Sequence, residues 1–252
     1  MWFFSIVILI CLTFYLIVRK QFKSYRKKGM WRNFHGIFTI LEPINLKLYR
    51  RLLPAQLDMP EIPLVSMFII DYVTVKPFPL KPYLEGSVAI KCKCNGEDGW
   101  HVLTMPVNTN FACLVGRRVG YPHYVADKIT LENNDQGIVG KVHRKGKEYF
   151  SLYYTSQKNE ETESDLTSIT QNNLELLKEP RFLLVPQAKG PVLKRVIIKE
   201  KIPAKWNTRQ GQVKIQISSR EPWTGLLTNG TASVGYFKKF TGGNIVLNKK
   251  VN

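Results

Sequence analysis

The residue types with the greatest chemical capacity lie together in the segment Gly116–Tyr124, which reads GRRVGYPHY. Its histidine, His123, titrates near neutral pH, where a histidine can serve as a general acid or base or can bind an anionic group. An imidazole has no primary amine, so His123 cannot form a stable imine with a ketone. The alternative is that His123 is a neutral ring that only makes hydrogen bonds within the wall of the fold.

Thiol or metal chemistry would have to come from four cysteines, which are Cys11, Cys92, Cys94 and Cys113. Cys92 and Cys94 alternate with Lys91 and Lys93 in a strand-like segment, which places both thiols on one face. Zinc would require a second pair of ligands, and the sequence offers none at a suitable spacing. The pattern therefore predicts buried free thiols and no metal site.

The strongly basic character of the chain is concentrated near its start. The 252 residues carry a formal net charge of +18, and residues 19–32 contain seven basic residues and no acidic one. The remaining excess is spread out, without the arginine-rich block or aromatic ladder of a nucleic-acid-binding surface. We interpret it as a solvated basic surface and expect no nucleic acid partner.

An uncharged apolar run, WFFSIVILICLTFYLIV, occupies residues 2–18. It reaches the lower end of the roughly 17–25 residues that span a bilayer. It has neither the basic start nor the cleavage site of a signal peptide. The basic residues that follow favour contact with anionic lipids and a cytoplasmic globular domain. We predict a single-pass transmembrane anchor at residues 1–18, a basic juxtamembrane linker at 19–33 and one domain at 34–252.

The elements that must position these residues are mainly β-strands with few short helices. A short helix is expected at residues 46–53, before Pro54, and the polar segment 156–173 is expected to be a surface loop or a lid. Regular short strands with Gly, Pro and Asn between them are typical of a closed barrel or a sandwich. The predicted strands are residues 64–72, 87–94, 100–107, 147–155, 181–185, 192–199 and 212–218.

Four segments of the chain also carry a family resemblance. They are Tyr49–Leu57 with its Leu-Leu-Pro turn, Pro82–Glu85, Gly116–Tyr124 and Gly137–Val142. In order and spacing, over roughly residues 34–247, they resemble the acetoacetate decarboxylase family. The resemblance implies a single closed β-barrel with an apolar pocket at its centre.

In that family a lysine of lowered pKa forms an imine with the substrate ketone, and acetoacetate decarboxylase is the standard example of this activation. The resemblance places His123 at the position of that lysine and Tyr124 at a second family lysine. A pocket carboxylate is matched by Glu85, so the implied catalytic residues are His123, Tyr124 and Glu85. The implied ligand-binding residues are His35, Phe68, Arg117 and Tyr121. His35 stands where the family has an arginine, and Phe68 stands where it has a glutamate. No cofactor is implied.

Together these observations favour a membrane-anchored protein that binds a small oxo acid or a lipid-derived carboxylate without Schiff-base chemistry. One alternative is an active lyase or decarboxylase that uses a relocated lysine or the acid–base groups of His123, Tyr124 and Glu85. Lys128 is the nearest lysine, but strand alternation points it away from the face of His123. Another alternative is a non-catalytic membrane adaptor. A binding protein predicts an open apolar pocket, an active enzyme predicts a close His–carboxylate contact, and an adaptor predicts a pocket filled by side chains. The resemblance also suggests a homo-oligomer.

Overall fold

Three α-helices, a 3₁₀ helix and twelve strands are present in the part of the chain that the computed structural model describes. The described residues are 2–28, 31–75, 81–118, 120–135, 137–156, 176, 179–186, 193–201, 206–230 and 232–251. The helices are α1 (Trp2–Lys28), α2 (Leu46–Leu52), α3 (Asn110–Arg118) and the 3₁₀ helix Pro222–Leu226. The segment predicted as a loop or lid lies outside the described residues from residue 157 onward.

The strands account for most of the described chain, and each predicted strand overlaps an observed one. They are β1 (Trp31–Leu41), β2 (Val65–Val75), β3 (Tyr83–Cys94), β4 (Glu97–Val107), β5 (His123–Val125), β6 (Lys128–Asn134), β7 (Gly137–Arg144), β8 (Lys147–Ser156), β9 (Arg181–Pro186), β10 (Leu193–Lys201), β11 (Trp206–Ile217) and β12 (Ala232–Val251). The turn between β3 and β4 consists of Asn95 and Gly96, whose φ angles of 53° and 81° are those that a two-residue hairpin needs.

These strands form one twelve-stranded sheet in the order β1-β2-β3-β4-β9-β10-β12-β11-β8-β7-β6, with β5 beside β4 and a further pairing of β1 with β12. The sheet is a curled, open half-barrel, so the prediction of a closed barrel is wrong. Between β4 and β9 the described residues provide a single pair, Trp100 with Arg181, and β6 ends the order beside β7. A closed barrel needs a continuous ladder between every pair of neighbouring strands, and these two places do not provide one.

Two apolar clusters lie on opposite faces of strands β1–β4. The interlayer cluster fills the space between β1–β3 and the second layer of β6–β8 and β11, with Ile69 and Phe150 among its members. The layers pack so closely that a Cβ on Gly140 would lie 2.9 Å from the Ile69 Cδ1 atom. The inner cluster lies on the concave face and includes Phe38 and Phe68. We call this concave face the inner face.

The cysteine prediction is confirmed for the two strand thiols. Cys92 and Cys94 are free, buried and part of the interlayer cluster. Burial raises the pKa of the Cys92 thiol, so its thiolate form is disfavoured. Both thiols therefore act as small apolar side chains in the core.

Helix α1 continues through the basic segment because the sequence has no glycine or proline between Trp2 and Lys28. Among the residues that the structure describes, no helix is long and apolar enough to cross a membrane. The structure therefore gives no support to the predicted transmembrane anchor. The cytoplasmic side and the homo-oligomer stay predictions.

Candidate functional site

Two ionisable side chains meet on the inner face, and they come from strands that are far apart in sequence. Strand β5 runs parallel to β4 and places His123 beside Met105, while Glu85 of β3 pairs with Val107 of β4. The His123 Nε2 atom lies 3.6 Å from Glu85 Oε2, and each side chain is 5% exposed. The structure thus brings together two of the three residues predicted to be catalytic.

His123 is a neutral imidazole with one ring nitrogen left for chemistry. Its Nδ1 lies 3.2 Å from the carbonyl oxygen of Ala112, which can only accept, so Nδ1 carries the hydrogen. Burial and, to a smaller extent, the charge of Arg117 together lower the pKa of His123 to about 4, against an opposite effect of the Ala112 carbonyl. Nε2 has no hydrogen-bond partner among the described residues. At neutral pH the contact with Glu85 is therefore not an ion pair, and Nε2 presents a lone pair.

The segment Gly116–Tyr124 positions this ring. A Cβ on Gly116 would lie 1.8 Å from His123 Nδ1, so only glycine lets the ring pack against helix α3. The Arg117 Nε atom donates to the His123 carbonyl oxygen at 2.7 Å, and the Tyr121 ring stacks on the His123 ring with centroids 5.3 Å apart. Arg117 and Tyr121, both predicted to bind ligand, thus contact His123 itself.

Glu85 is held from the neighbouring strand β2. The Tyr72 hydroxyl donates to Glu85 Oε1 over a long 3.4 Å contact. The Tyr72 ring in turn lies 4.7 Å from the Tyr83 ring, centroid to centroid. These aromatic rings exclude water from the carboxyl group and fix its direction toward His123.

Tyr124 lies on the other side of strand β5, because consecutive strand residues point to opposite faces. It lines a surface cavity of about 270 Å³. The Arg144 guanidinium carbon lies 4.1 Å from the centroid of its ring and the Arg144 Nη1 atom donates to Glu221 at 2.8 Å. The structure therefore separates Tyr124 from His123 and Glu85.

His35 is also on a different face from the pair. Its Nε2 atom lies 4.0 Å from Asp71 Oδ2, with the two side chains 29% and 31% exposed, and its ring contacts Phe237 at 5.8 Å between centroids. Burial raises the pKa of Asp71, while His35 lowers it. Because His35 alternates with the inner residues Phe34 and Phe38 along β1, it cannot reach the inner face.

Phe68 does lie on the inner face, and its surroundings contain polar residues that sequence reasoning missed. The Phe68 ring is 5.7 Å from the Phe38 ring, and the Arg181 guanidinium carbon is 5.4 Å from the Phe68 centroid. Ser87 pairs with Phe68 across β2 and β3. The Ser87 hydroxyl is buried, with no hydrogen-bond partner in the described part of the chain.

A further residue that sequence reasoning missed, Lys238 on β12, is 1% exposed. Its Nζ atom lies 5.2 Å from the centroid of Phe38 and 5.7 Å from that of Tyr236. The sequence does contain a pattern that places Lys238 on an aromatic face of its strand, because Tyr236 and Phe240 lie two residues before and after it. The sequence alone gave no reason to bury a lysine there, since lysine is usually exposed.

Comparison with known proteins identifies one family. A family model described as acetoacetate decarboxylase (ADC) matches residues 25–238, which is most of the chain. Among curated proteins, none matches the chain. The equivalence of His123 with the family's imine-forming lysine stays a prediction.

Solved structures with the same fold are similar to the chain at low identity. An acetoacetate decarboxylase from Legionella pneumophila has 17% identity and a TM-score of 0.63, with 88% of this chain and 87% of that chain covered. A second acetoacetate decarboxylase has 16% identity and a TM-score of 0.67, covering 88% and 91%. The enduracididine biosynthesis enzyme MppR, complexed with the condensation product of pyruvate and imidazole 4-carboxaldehyde, has 12% identity and a TM-score of 0.58, covering 85% and 88%. At such identities the likeness shows the fold alone.

Proposed function

Because this chain belongs to the acetoacetate decarboxylase family, we propose that it binds a small oxo acid or a lipid-derived carboxylate on its inner face. His123 then exchanges a proton with the bound molecule beside Glu85, without an imine. The observation that carries the proposal is the His123 Nε2 lone pair, which is buried beside Glu85 at 3.6 Å and lacks a hydrogen-bond partner among the described residues.

The chemistry that suits this pair is proton transfer next to a carbonyl group. His123 Nε2 takes a proton from the carbon beside the carbonyl, so the C–H bond breaks and its electron pair forms an enolate. The imidazolium that results lies beside the Glu85 carboxylate, whose charge offsets it in a site of low dielectric. The proton on Nε2 exchanges with solvent, and transfer of a solvent-derived proton from Nε2 back to carbon completes the exchange with water as the only other reactant.

Deuterium exchange into the methyl group of pyruvate, followed by proton NMR in D₂O, tests the proposal. We expect exchange by the wild-type protein and a loss of about 100-fold in the His123→Gln variant, the typical contribution of a general base. His143→Gln is the matched control, because His143 is a half-buried histidine on β7, away from the pair. Equal exchange by the wild-type and His123→Gln proteins would show that His123 is not the base.

A second candidate function is decarboxylation through a relocated lysine, and one observation favours it. Lys238 is buried on the inner face, whereas Lys128 is exposed on β6. Incubation with acetoacetate, reduction with borohydride and mass spectrometry distinguish the two functions. Proton transfer without an imine predicts no adduct. An adduct on Lys238 would instead support decarboxylation through a relocated lysine.

A further inference from the structure

We infer that Lys238 anchors the carboxylate of the bound molecule, from the inner face that also carries Ser87 and Arg181. The inference rests on the proposed function and extends it, since it names the residues that bind the carboxylate of the ligand. It also gives Lys238 the role of a cation and not that of an amine nucleophile.

The register of the sheet places Lys238 on the same face as the catalytic pair. Lys238 of β12 lies opposite Gly36 of β1, Gly36 lies opposite Ile70 of β2, and Ile70 lies opposite Glu85 of β3. Directly opposite residues in antiparallel strands project to one face, so this row is continuous. Three strand spacings amount to about 14 Å along the sheet, and the curl of the sheet brings the side chains closer.

The aromatic rings around Lys238 suit a cation. With Nζ 5.2 Å from the centroid of Phe38 and 5.7 Å from that of Tyr236, two rings offer an ammonium group the negative charge of their π-systems. An ammonium has no lone pair with which to attack a ketone. It can, however, donate hydrogen bonds to a carboxylate, and such charged hydrogen bonds are the stronger ones.

The neighbouring residues add to an anion-binding surface. Arg181 lies against Phe68, which is itself in contact with Phe38, so a second cation stands on the adjoining ring. Ser87 is 1% exposed and its Oγ atom has no hydrogen-bond partner within the described ranges. A buried hydroxyl of this kind costs stability unless a partner arrives. The carboxylate of a ligand would be that partner.

Ser87 also connects the anchor to the catalytic pair. It follows Glu85 by two residues on β3, on the same face, which separates the two Cα atoms by about 7 Å. The Lys238 Nζ atom lies over Phe38, and Phe38, Phe68 and Ser87 form one row of paired residues. A molecule whose carboxylate is held over this row can therefore extend its carbonyl end toward His123 and Glu85. The two ends of the site recognise the two functional groups of an oxo acid.

Isothermal titration with pyruvate and with its neutral amide, pyruvamide, tests the assignment. We expect Lys238→Met to weaken the binding of pyruvate by about 10- to 100-fold, the range for a hydrogen bond to a charged group. The same substitution is expected to leave the binding of pyruvamide unchanged. Lys239→Met is the matched control, because Lys239 is the next residue on β12 and is exposed.

The outcomes separate this inference from the proposed function. If the wild-type protein binds no pyruvate, the proposed function fails and the inference fails with it. If the wild-type protein binds pyruvate and Lys238→Met binds it equally well, only the inference is overturned. If Lys238→Met does not unfold in a cooperative thermal transition, it is not folded, and the Ser87→Ala and Arg181→Met variants test the anchor instead. Each is expected to weaken the binding of pyruvate alone, and unchanged affinity in both overturns the anchor.

Discussion

The two faces of strands β1–β4 differ in the kind of polar group that they bury. All four buried residues with an acidic or basic side chain in the described part of the chain lie on the inner face, and they are Glu85, Lys91, His123 and Lys238. On the opposite face, Thr39 is buried beside Ile37 and Leu41 of the interlayer cluster, but its side chain carries no charge. Burying ionisable groups is costly, so their restriction to one face marks that face as the functional one.

Each face also has its own hydrogen bonds and its own unpartnered polar atoms. On the interlayer side, the Tyr49 hydroxyl donates to the Lys91 carbonyl oxygen at 2.6 Å, and Trp223 Nε1 donates to the Tyr149 hydroxyl at 3.2 Å. On the inner face, His123 Nε2 and Ser87 Oγ have no hydrogen-bond partner among the residues described. The interlayer cluster therefore stabilises the fold, while the inner face keeps binding capacity for a ligand.

The largest effect is expected on the interlayer side. Phe150 is fully buried there, and Phe150→Ala should lower the free energy of unfolding by about 3–5 kcal/mol because it leaves a cavity. Urea denaturation measures this, with Phe111→Ala as control, since Phe111 is 37% exposed. The folded fraction of Phe150→Ala should still bind pyruvate with wild-type affinity. A selective loss of binding would contradict the division of roles between the faces.

The next effect concerns pH and belongs to the inner face. The unfolded chain protonates His123 near pH 6.5, whereas the folded protein does so only near pH 4. The unfolded state thus binds more protons between these values, so stability is full above pH 6.5 and is lost as the pH falls toward 4. The loss due to His123 should be about 3 kcal/mol.

Urea denaturation at pH 7 and pH 4, compared between the wild-type and His123→Gln proteins, measures this contribution. His123→Gln should lose this part of the pH dependence. If it keeps the wild-type pH dependence, the buried neutral state assigned to His123 is wrong.

A smaller effect is expected at the helix that supports His123. Gly116→Ala places a methyl group 1.8 Å from His123 Nδ1 and should cost about 2 kcal/mol through overpacking. Intrinsic helix propensity acts in the opposite direction, since alanine is favoured over glycine within a helix. Thermal unfolding of Gly116→Ala, His123→Ala and the double variant separates the two effects. Because the clash needs both side chains, the double variant should be more stable than His123→Ala, and the reverse order would exclude a clash.

The smallest effect returns to the interlayer side. Tyr49→Phe removes a fully buried hydroxyl that donates to a backbone carbonyl, and should lower the free energy of unfolding by about 1 kcal/mol. Tyr153→Phe is a suitable control, because its hydroxyl contact with Gln216 is exposed. No change in pyruvate binding is expected for either variant. A change confined to Tyr49→Phe would mean that the two faces are coupled.

Local sequence patterns predicted much of this architecture. Alternation in Val88–Cys94 correctly placed Cys92 and Cys94 on a common buried face, and each predicted strand overlaps an observed one. These features depend on neighbouring residues and on the period of a strand. Helix α3 and strand β12 were missed, because α3 is a single short helix and β12 mixes lysines with aromatic residues.

The candidate site was predicted only in part, because local patterns do not show which distant strands pair. Family resemblance pointed to Glu85 and His123, which do meet, and also to His35 and Tyr124, which lie on other faces. Whether two residues share a face depends on strand register and on the direction in which each strand enters the sheet. No local pattern contains that information.

The sequence by itself determined most of the strands, the alternation of residues along them, and the family to which the chain belongs. Only the tertiary structure decided that the concave face holds Glu85, His123 and Lys238. Those residues come from β3, β5 and β12, and the backbone hydrogen bonds between distant strands fix their common face. The burial that holds His123 neutral and surrounds Lys238 with aromatic rings exists only after those strands have paired.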